Sequence, residues 1–171
     1  MKKLTYLLLV LLAPFYIKAQ QVDTASTLIK VGDAAPVFDF NISKDQKVNL
    51  SDYKGKIVMI NFFATWCPPC ALELPRVQKD IWDKYKNNPK FALLIFGRDE
   101  GWDVVLPFKD KNKYTFAMLP DVGKKIYSLY AKEYIPRNVL IDENGKVIYE
   151  STGYSEDEFN VLLKLLAKKL K

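Results

Sequence analysis

The sequence contains no histidine, which removes imidazole acid-base catalysis, cysteine-histidine nucleophile pairs and histidine-ligated metal sites together. It has two cysteines, Cys67 and Cys70, too few for a disulfide scaffold or for a four-coordinate structural zinc site. With 7 glycines and 9 prolines in 171 residues, the composition is that of a globular chain rather than a collagenous or low-complexity one, and no internal repeat is present. Long apolar runs are scarce: the stretch from Leu4 to Ile17 falls short of the roughly 20 residues that a membrane-spanning helix needs. Lysines are scattered or gathered near the C-terminus, without the basic stripe and interleaved aromatics of a nucleic-acid binder. Chemistry is left to sulfur, carboxylate and backbone, and no cofactor is expected.

The N-terminus has its own logic. Lys2 and Lys3 precede the apolar stretch and Ala19 follows it, the order of a secretory signal peptide over residues 1–19 with cleavage near Ala19. Cleavage removes Lys2, Lys3 and Lys18 and no acid, lowering the formal charge from +6 to +3. No cysteine stands near the cleavage point to carry a lipid. Residues 20–30 are polar and aperiodic and read as a mobile leader, so the folded unit is expected over residues 31–171.

Val37-Phe38-Asp39-Phe40 and Lys47-Val48-Asn49-Leu50 alternate as half-buried strands do and can pair as a hairpin. Lys56 to Phe63 is a nearly continuous apolar run, suited to a strand buried on both faces. A helix is expected from Pro68 to about Asn87 on the spacing of Leu72, Val77, Ile81 and Tyr85, bent at Pro75. Phe91 to Phe96 is a second buried strand. Helices over Trp102 to Asn112 and Val122 to Lys132 are separated by an extended piece at Phe116 to Leu119. Asn138 to Asp142 and Lys146 to Glu150 form a hairpin through Asn144-Gly145. A final helix aligns Phe159, Leu162, Leu163, Leu166 and Leu170 on one face. The pattern is that of an α/β chain with a mixed central sheet in three layers.

Cys67 and Cys70 stand where a buried strand turns into a helix. Free amides and the helix dipole favour a thiolate at Cys67, while Cys70, one turn on, points inward and close enough to form a disulfide. Cys67 is therefore the attacking sulfur and Cys70 the resolving one. A purely structural disulfide is the rival reading, weakened because so short a loop removes little unfolded-state entropy. Pro68 and Pro69 carry no amide hydrogens, which makes Cys67 less acidic and the couple more reducing. Glu73 shares the side of Cys70. It either handles protons for that cysteine or stabilises the helix start. Asn61 is expected as a buried polar residue behind the motif.

Phe38 to Phe40, Leu50-Ser51-Asp52-Tyr53-Lys54-Gly55-Lys56, Ile60 to Cys70 and Glu73-Leu74-Pro75 together resemble the TlpA/ResA family of exported thioredoxin-like proteins. The resemblance implies a thioredoxin-like fold with an N-terminal β-hairpin and an inserted helix/strand element, acting as an extracytoplasmic disulfide reductase, most naturally in the periplasm. By position it makes Cys67 the nucleophile, Cys70 the resolving thiol and Pro136 a cis-proline facing the disulfide. Trp66, Pro68, Pro69, Ile135 and Arg137 become the substrate-facing set, with Arg137 standing where the family commonly has threonine. The implied partners are a protein thiol or disulfide substrate and a membrane dithiol donor, with the chain acting as a monomer. Two other readings compete. A peroxiredoxin-type thiol peroxidase has Thr three residues before its cysteine and Pro four before that, where this chain has Ala64 and Ile60. A non-catalytic binding module would survive replacement of both cysteines.

Overall fold

The computed structural model describes residues 25–171, so the expected signal peptide lies outside the described residues. Strands β1 (Asp39–Asn41) and β2 (Lys47–Asn49) pair antiparallel as the expected hairpin, a separate two-stranded sheet. The first strand starts two residues later than the alternation suggests, because Val37 is left in solvent. After a short 3-10 turn over Leu50–Tyr53 capped by Asn49, β3 (Ile57–Phe63) is buried at every position. Next come α1 (Pro68–Arg76), a π-helical segment (Val77–Trp82) and α2 (Asp83–Tyr85), which run on without a break. They are followed by β4 (Phe91–Arg98), α3 (Trp102–Asn112) and β5 (Met118–Asp121). α4 (Tyr127–Tyr130), β6 (Arg137–Ile141), β7 (Val147–Thr152) and α5 (Glu156–Lys169) complete the chain.

The central sheet has the order β5-β4-β3-β6-β7. β3 and β4 are parallel, as are β4 and β5, whereas β6 and β7 run antiparallel to their neighbours. The mixed sheet is the expected one. Alternation along β3 divides the core. Ile57, Met59 and Phe63 face α1, the π segment and α5, joining Leu74, Val77, Ile81, Phe159, Leu162 and Leu166. Val58, Ile60 and Phe62 face the hairpin and α4, joining Phe38, Phe40, Tyr127 and Tyr130. Ring pairs such as Phe62 with Phe96 and Phe62 with Tyr127 knit this second layer, each worth about 0.5–1.5 kcal/mol beyond area burial.

Several expectations need correction. Leu72 is 66% exposed, because the inward stripe of α1 is Cys70, Glu73 and Leu74. At about 100° per residue, Leu72 lies on the opposite side. The discontinuity expected at Pro75 takes the form of the π segment just beyond it, since Pro75 has no amide hydrogen to give the preceding turn. The helix expected over residues 122–132 is broken. Gly123 and Lys124 take positive φ of 74° and 57°, so a 3-10 turn over Val122–Lys124 leaves only one helical turn at α4. The extended link before it is a true sheet strand, β5. In the last hairpin only Gly145 takes positive φ, and the Asp142 carboxylate caps the turn by accepting from the amides of Asn144 and Lys146.

The leader also differs from expectation. Ser26 and Ile29 are buried, Thr27 bridges to Ala131, and the amides of Leu28 and Lys132 donate to the carbonyls of Tyr130 and Ser26. Residues 26–29 are thus bound to the loop after α4, and the packed structure begins before Val31. With one buried position polar and Leu28 and Val31 left in solvent, no apolar pattern in the sequence announces this.

Candidate active site

β3 delivers the chain to the cysteines. Past Phe63 the backbone turns at Ala64, whose carbonyl accepts from the Cys67 amide at 3.1 Å. Cys67 is the N-cap of α1, with extended backbone at φ −89° and ψ 110°. Pro68 and Pro69 fill the first helical positions, where their fixed φ suits the helix and their missing amides leave fewer orphan donors. The Cys70 amide then becomes the donor to the Cys67 sulfur, at 3.3 Å. Most helix starts offer a thiolate more amides than this, so the site supplies comparatively little charge stabilisation.

Cys67 and Cys70 form a disulfide with Cα atoms 5.3 Å apart. Cys67 retains 3% exposure and Cys70 none, so an incoming sulfur meets Cys67. Across from it the Ile135 carbonyl oxygen lies 3.8 Å from the Cys67 sulfur, and the Ile135–Pro136 peptide is cis. Around this point Pro68 and Tyr134 are exposed and Pro69 and Ile135 half-buried. Trp66 is 66% exposed, so its ring is a surface feature beside the disulfide, not part of the core.

Behind the pair sits a buried polar cluster. Glu73 is 1% exposed. Its carboxylate accepts from Asn61 Nδ2 at 2.9 Å and from Asn138 Nδ2 at 2.6 Å, and Asn61 Nδ2 also donates to Asn138 Oδ1. Burial pushes the Glu73 carboxyl up from 4.5 to about 7, against the two amide bonds, which hold it down. A carboxyl that titrates near neutrality one turn after a resolving cysteine can take and return its proton. A solvated early-turn glutamate stabilising the dipole does not describe this side chain.

Glu100 was not anticipated. It lies just past β4, is buried, and its Oε1 accepts both the amide and the hydroxyl of Thr65, at 2.9 and 2.7 Å. It thereby pins the residue ahead of Trp66 and Cys67. In sequence, Arg98-Asp99-Glu100-Gly101 looks like a solvated turn. Asn138 opens an expected strand and Ser151 lies one residue beyond the expected end of the next; the β3–β6–β7 register, Asn61 opposite Asn138 and Asn138 opposite Ser151, is what brings them behind the pair.

Arg137 was expected beside the substrate surface, and the structure places its side chain elsewhere. It is 2% exposed and projects to the hairpin face of the sheet, because β6 alternates with Asn138 facing Glu73. Its guanidinium bonds backbone carbonyls and the leader instead of solvent. An apolar cleft of about 280 Å³ lined by Val37, Leu50, Tyr53, Val58 and Ile141 lies at the far end of β3 and contains none of the residues around the disulfide.

A disulfide capping a helix at the end of a central strand, opposite a cis X-Pro edge, fits what comparison finds. The family described as Redoxin matches residues 30–166. The chain belongs to the Redoxin family. It is 33% identical over 135 residues to the thiol-disulfide oxidoreductase ResA of Bacillus thuringiensis subsp. konkukian, covering 79% of this chain and 77% of that one. To ResA of Geobacillus kaustophilus it is 34% identical over 150 residues, covering 87% and 85%. Among solved structures, a candidate protein disulfide isomerase of Bacteroides thetaiotaomicron superposes with a TM-score of 0.81 at 37% identity, covering 85% and 92%. The thioredoxin-like fold and the TlpA/ResA resemblance read from the motif hold within this family, and so does the enzyme class: a thiol-disulfide oxidoreductase.

Proposed function

We propose that the protein is an extracytoplasmic reductase of protein disulfides, with Cys67 as nucleophile and Cys70 as resolving thiol. The observation that carries this is the disulfide at the start of α1, with one sulfur nearly and the other wholly buried. In the reduced protein the Cys67 thiolate attacks a substrate disulfide. A Cys67–substrate disulfide forms, the substrate S–S bond breaks, and the departing thiolate takes a proton from solvent. Cys70 gives its proton to the Glu73 carboxylate and attacks the Cys67 sulfur. The internal disulfide closes and the second substrate thiolate leaves. Two electrons pass from the cysteine pair to the substrate, and Glu73 returns its proton when the pair is recharged.

The backbone at Ile135 and Pro136 forms one wall of the docking edge, and Trp66, Pro68 and Pro69 form the other. This placement suits an extended segment of a protein substrate better than a small thiol. The sparse amide donation to Cys67 supports a reducing couple. A charged start, short apolar run and Ala19 support export, with Gln20 as the mature N-terminus, and the family resemblance supports a membrane dithiol as electron donor and a monomeric chain.

The test uses the mature chain, reduced and mixed with an excess of a disulfide-bonded protein, with substrate thiols followed over time. Release of two substrate thiols per protein, abolished in Cys67→Ser, is expected. Equal release from the serine variant would overturn the assignment.

A further inference from the structure

The Arg137 guanidinium is buried and bonded on all three of its nitrogens. Nε donates to the carbonyls of Glu133 and Tyr134 at 3.0 and 3.2 Å. One terminal nitrogen donates to Thr27 Oγ1 at 2.8 Å and faces Glu150 at 4.0 Å. The other donates to Ser26 Oγ at 2.5 Å and to the Glu133 carbonyl at 2.8 Å. Four of the five N–H donors of the fork thus have an acceptor within hydrogen-bond distance, and Glu150 lies 4.0 Å from the nitrogen that carries the fifth. The Tyr134 carbonyl also accepts from Tyr127 Oη at 2.8 Å, and Tyr134 itself sits at φ 68°, a conformation that side-chain-bearing residues rarely hold unless their surroundings enforce it. The next residue is Ile135, whose carbonyl faces the Cys67 sulfur.

We propose that Arg137 is a positioning residue for the redox site, welding the leader segment 26–29 to the Glu133–Pro136 loop so that the docked leader sets the reactivity of Cys67. The causal order is short. The guanidinium fork fixes the carbonyls of Glu133 and Tyr134. Those fix the Ile135 carbonyl, and that oxygen presents the negative end of its dipole to the Cys67 sulfur. A carbonyl so placed accepts from the thiol and repels the thiolate, favouring the protonated form. Loosening the tether lets the oxygen retreat and makes Cys67 more reactive toward an electrophile. This deepens the reductase reading and rests on Cys67 being the attacking thiol.

Ser26 and Thr27 allow a test that changes no charge. Ser26→Ala/Thr27→Val removes two acceptors from the fork while the charged groups on the elements around the disulfide stay in place: Glu73 and Arg76 on α1, Glu100 against Thr65, and Lys132, Glu133 and Arg137 on the facing loop and strand. The full mature chain is reduced, treated with limiting iodoacetamide at neutral pH, and the alkylated cysteine located by mass spectrometry. Alkylation of Cys67 is expected to speed up about threefold or more, since even half a pKa decade changes the thiolate fraction by about that factor. Arg137→Lys, which keeps the charge but loses the fork, is expected to move the rate the same way. Thr27→Ser, which keeps the hydroxyl, is expected to leave it at the wild-type value. A rate unchanged in the double variant, with only its thermal midpoint lowered, would show a merely structural tether and overturn the inference. Labelling of the wild type at Cys70 instead of Cys67 would instead overturn Cys67 as the attacking thiol, on which the proposed function rests, so the two failures are separable.

Discussion

Glu73 provides the sharpest quantitative consequence of the fold. In an unfolded chain its carboxyl has an ordinary value near 4.5, and in the folded protein burial raises it to about 7. Between those values the native state binds more protons than the unfolded state, so stability must fall as pH rises through this window. The contribution is intact below about 4.5 and lost once pH passes about 7. At roughly 1.4 kcal/mol per pKa decade, the loss comes to about 3 kcal/mol. Glu73→Gln removes the titration and keeps the side chain's shape; it gives up one of the two amide bonds the carboxylate accepts, a loss that is the same at every pH and cancels from the pH dependence. Urea unfolding of the oxidised wild type and variant at about pH 4.5 and about pH 8.5 isolates the effect, because Asp121, Glu150 and Glu158, also raised by burial, titrate in both proteins. Relative to the variant, the wild type should lose about 3 kcal/mol between the two pH values. Parallel profiles, or a wild type that gains relative to the variant, would refute the picture of a desolvated carboxyl behind the disulfide.

Other consequences follow from the same geometry. Cys70→Ser should trap a Cys67–substrate mixed disulfide that survives non-reducing electrophoresis, whereas Cys67→Ser should trap none, because only Cys67 meets incoming sulfur. Leu74→Ala should cost about 2–5 kcal/mol by denaturant unfolding, as expected for a buried leucine. Leu72→Ala should stay within about 0.5 kcal/mol, as exposed sites do, and a reversed order would contradict the assigned face of α1. Gly97→Ala would place a Cβ 2.5 Å from Val105 Cγ1 and 3.1 Å from Glu100 Oε2. It should lower stability by about 1–3 kcal/mol, the usual cost of overpacking, and thermal unfolding is the check.

The chemistry was legible because it is local. Cys67, Pro68, Pro69 and Cys70 are contiguous, and the apolar run from Lys56 to Phe63, bounded by Gly55, suits a doubly buried strand, which β3 is, so the strand-to-helix position of the pair was within reach of the sequence. Glu73 was legible as a neighbour by helical spacing, but its burial was not. That depends on Asn61, Asn138 and Ser151 meeting across β3, β6 and β7, contacts separated by up to 77 residues. Arg137 was misplaced because its expected role rested on its position beside Pro136 in the family resemblance, whereas it is the first residue of β6 and, next to Asn138 on the Glu73 face, turns its side chain to the hairpin face. The α4 region failed for a different reason. Apolar spacing over residues 122–132 favours a helix, but Gly123 and Lys124 adopt left-handed backbone, and Asp121 caps a shorter turn by accepting the amides of Ile126 and Tyr127. Leu72 shows the limit of periodicity in a short amphipathic helix: one exposed leucine fits the spacing as well as an inward one, and only packing decides.

The reduction potential of the Cys67–Cys70 couple tests the central claim most directly. The mature protein would be equilibrated in graded redox buffers and its free thiols counted. Two thiols appearing together, with a midpoint at or below about −270 mV, is the result predicted for a reductant. A midpoint near −120 mV would reverse the direction of electron flow, and a pair that stays oxidised throughout would mark the disulfide as structural.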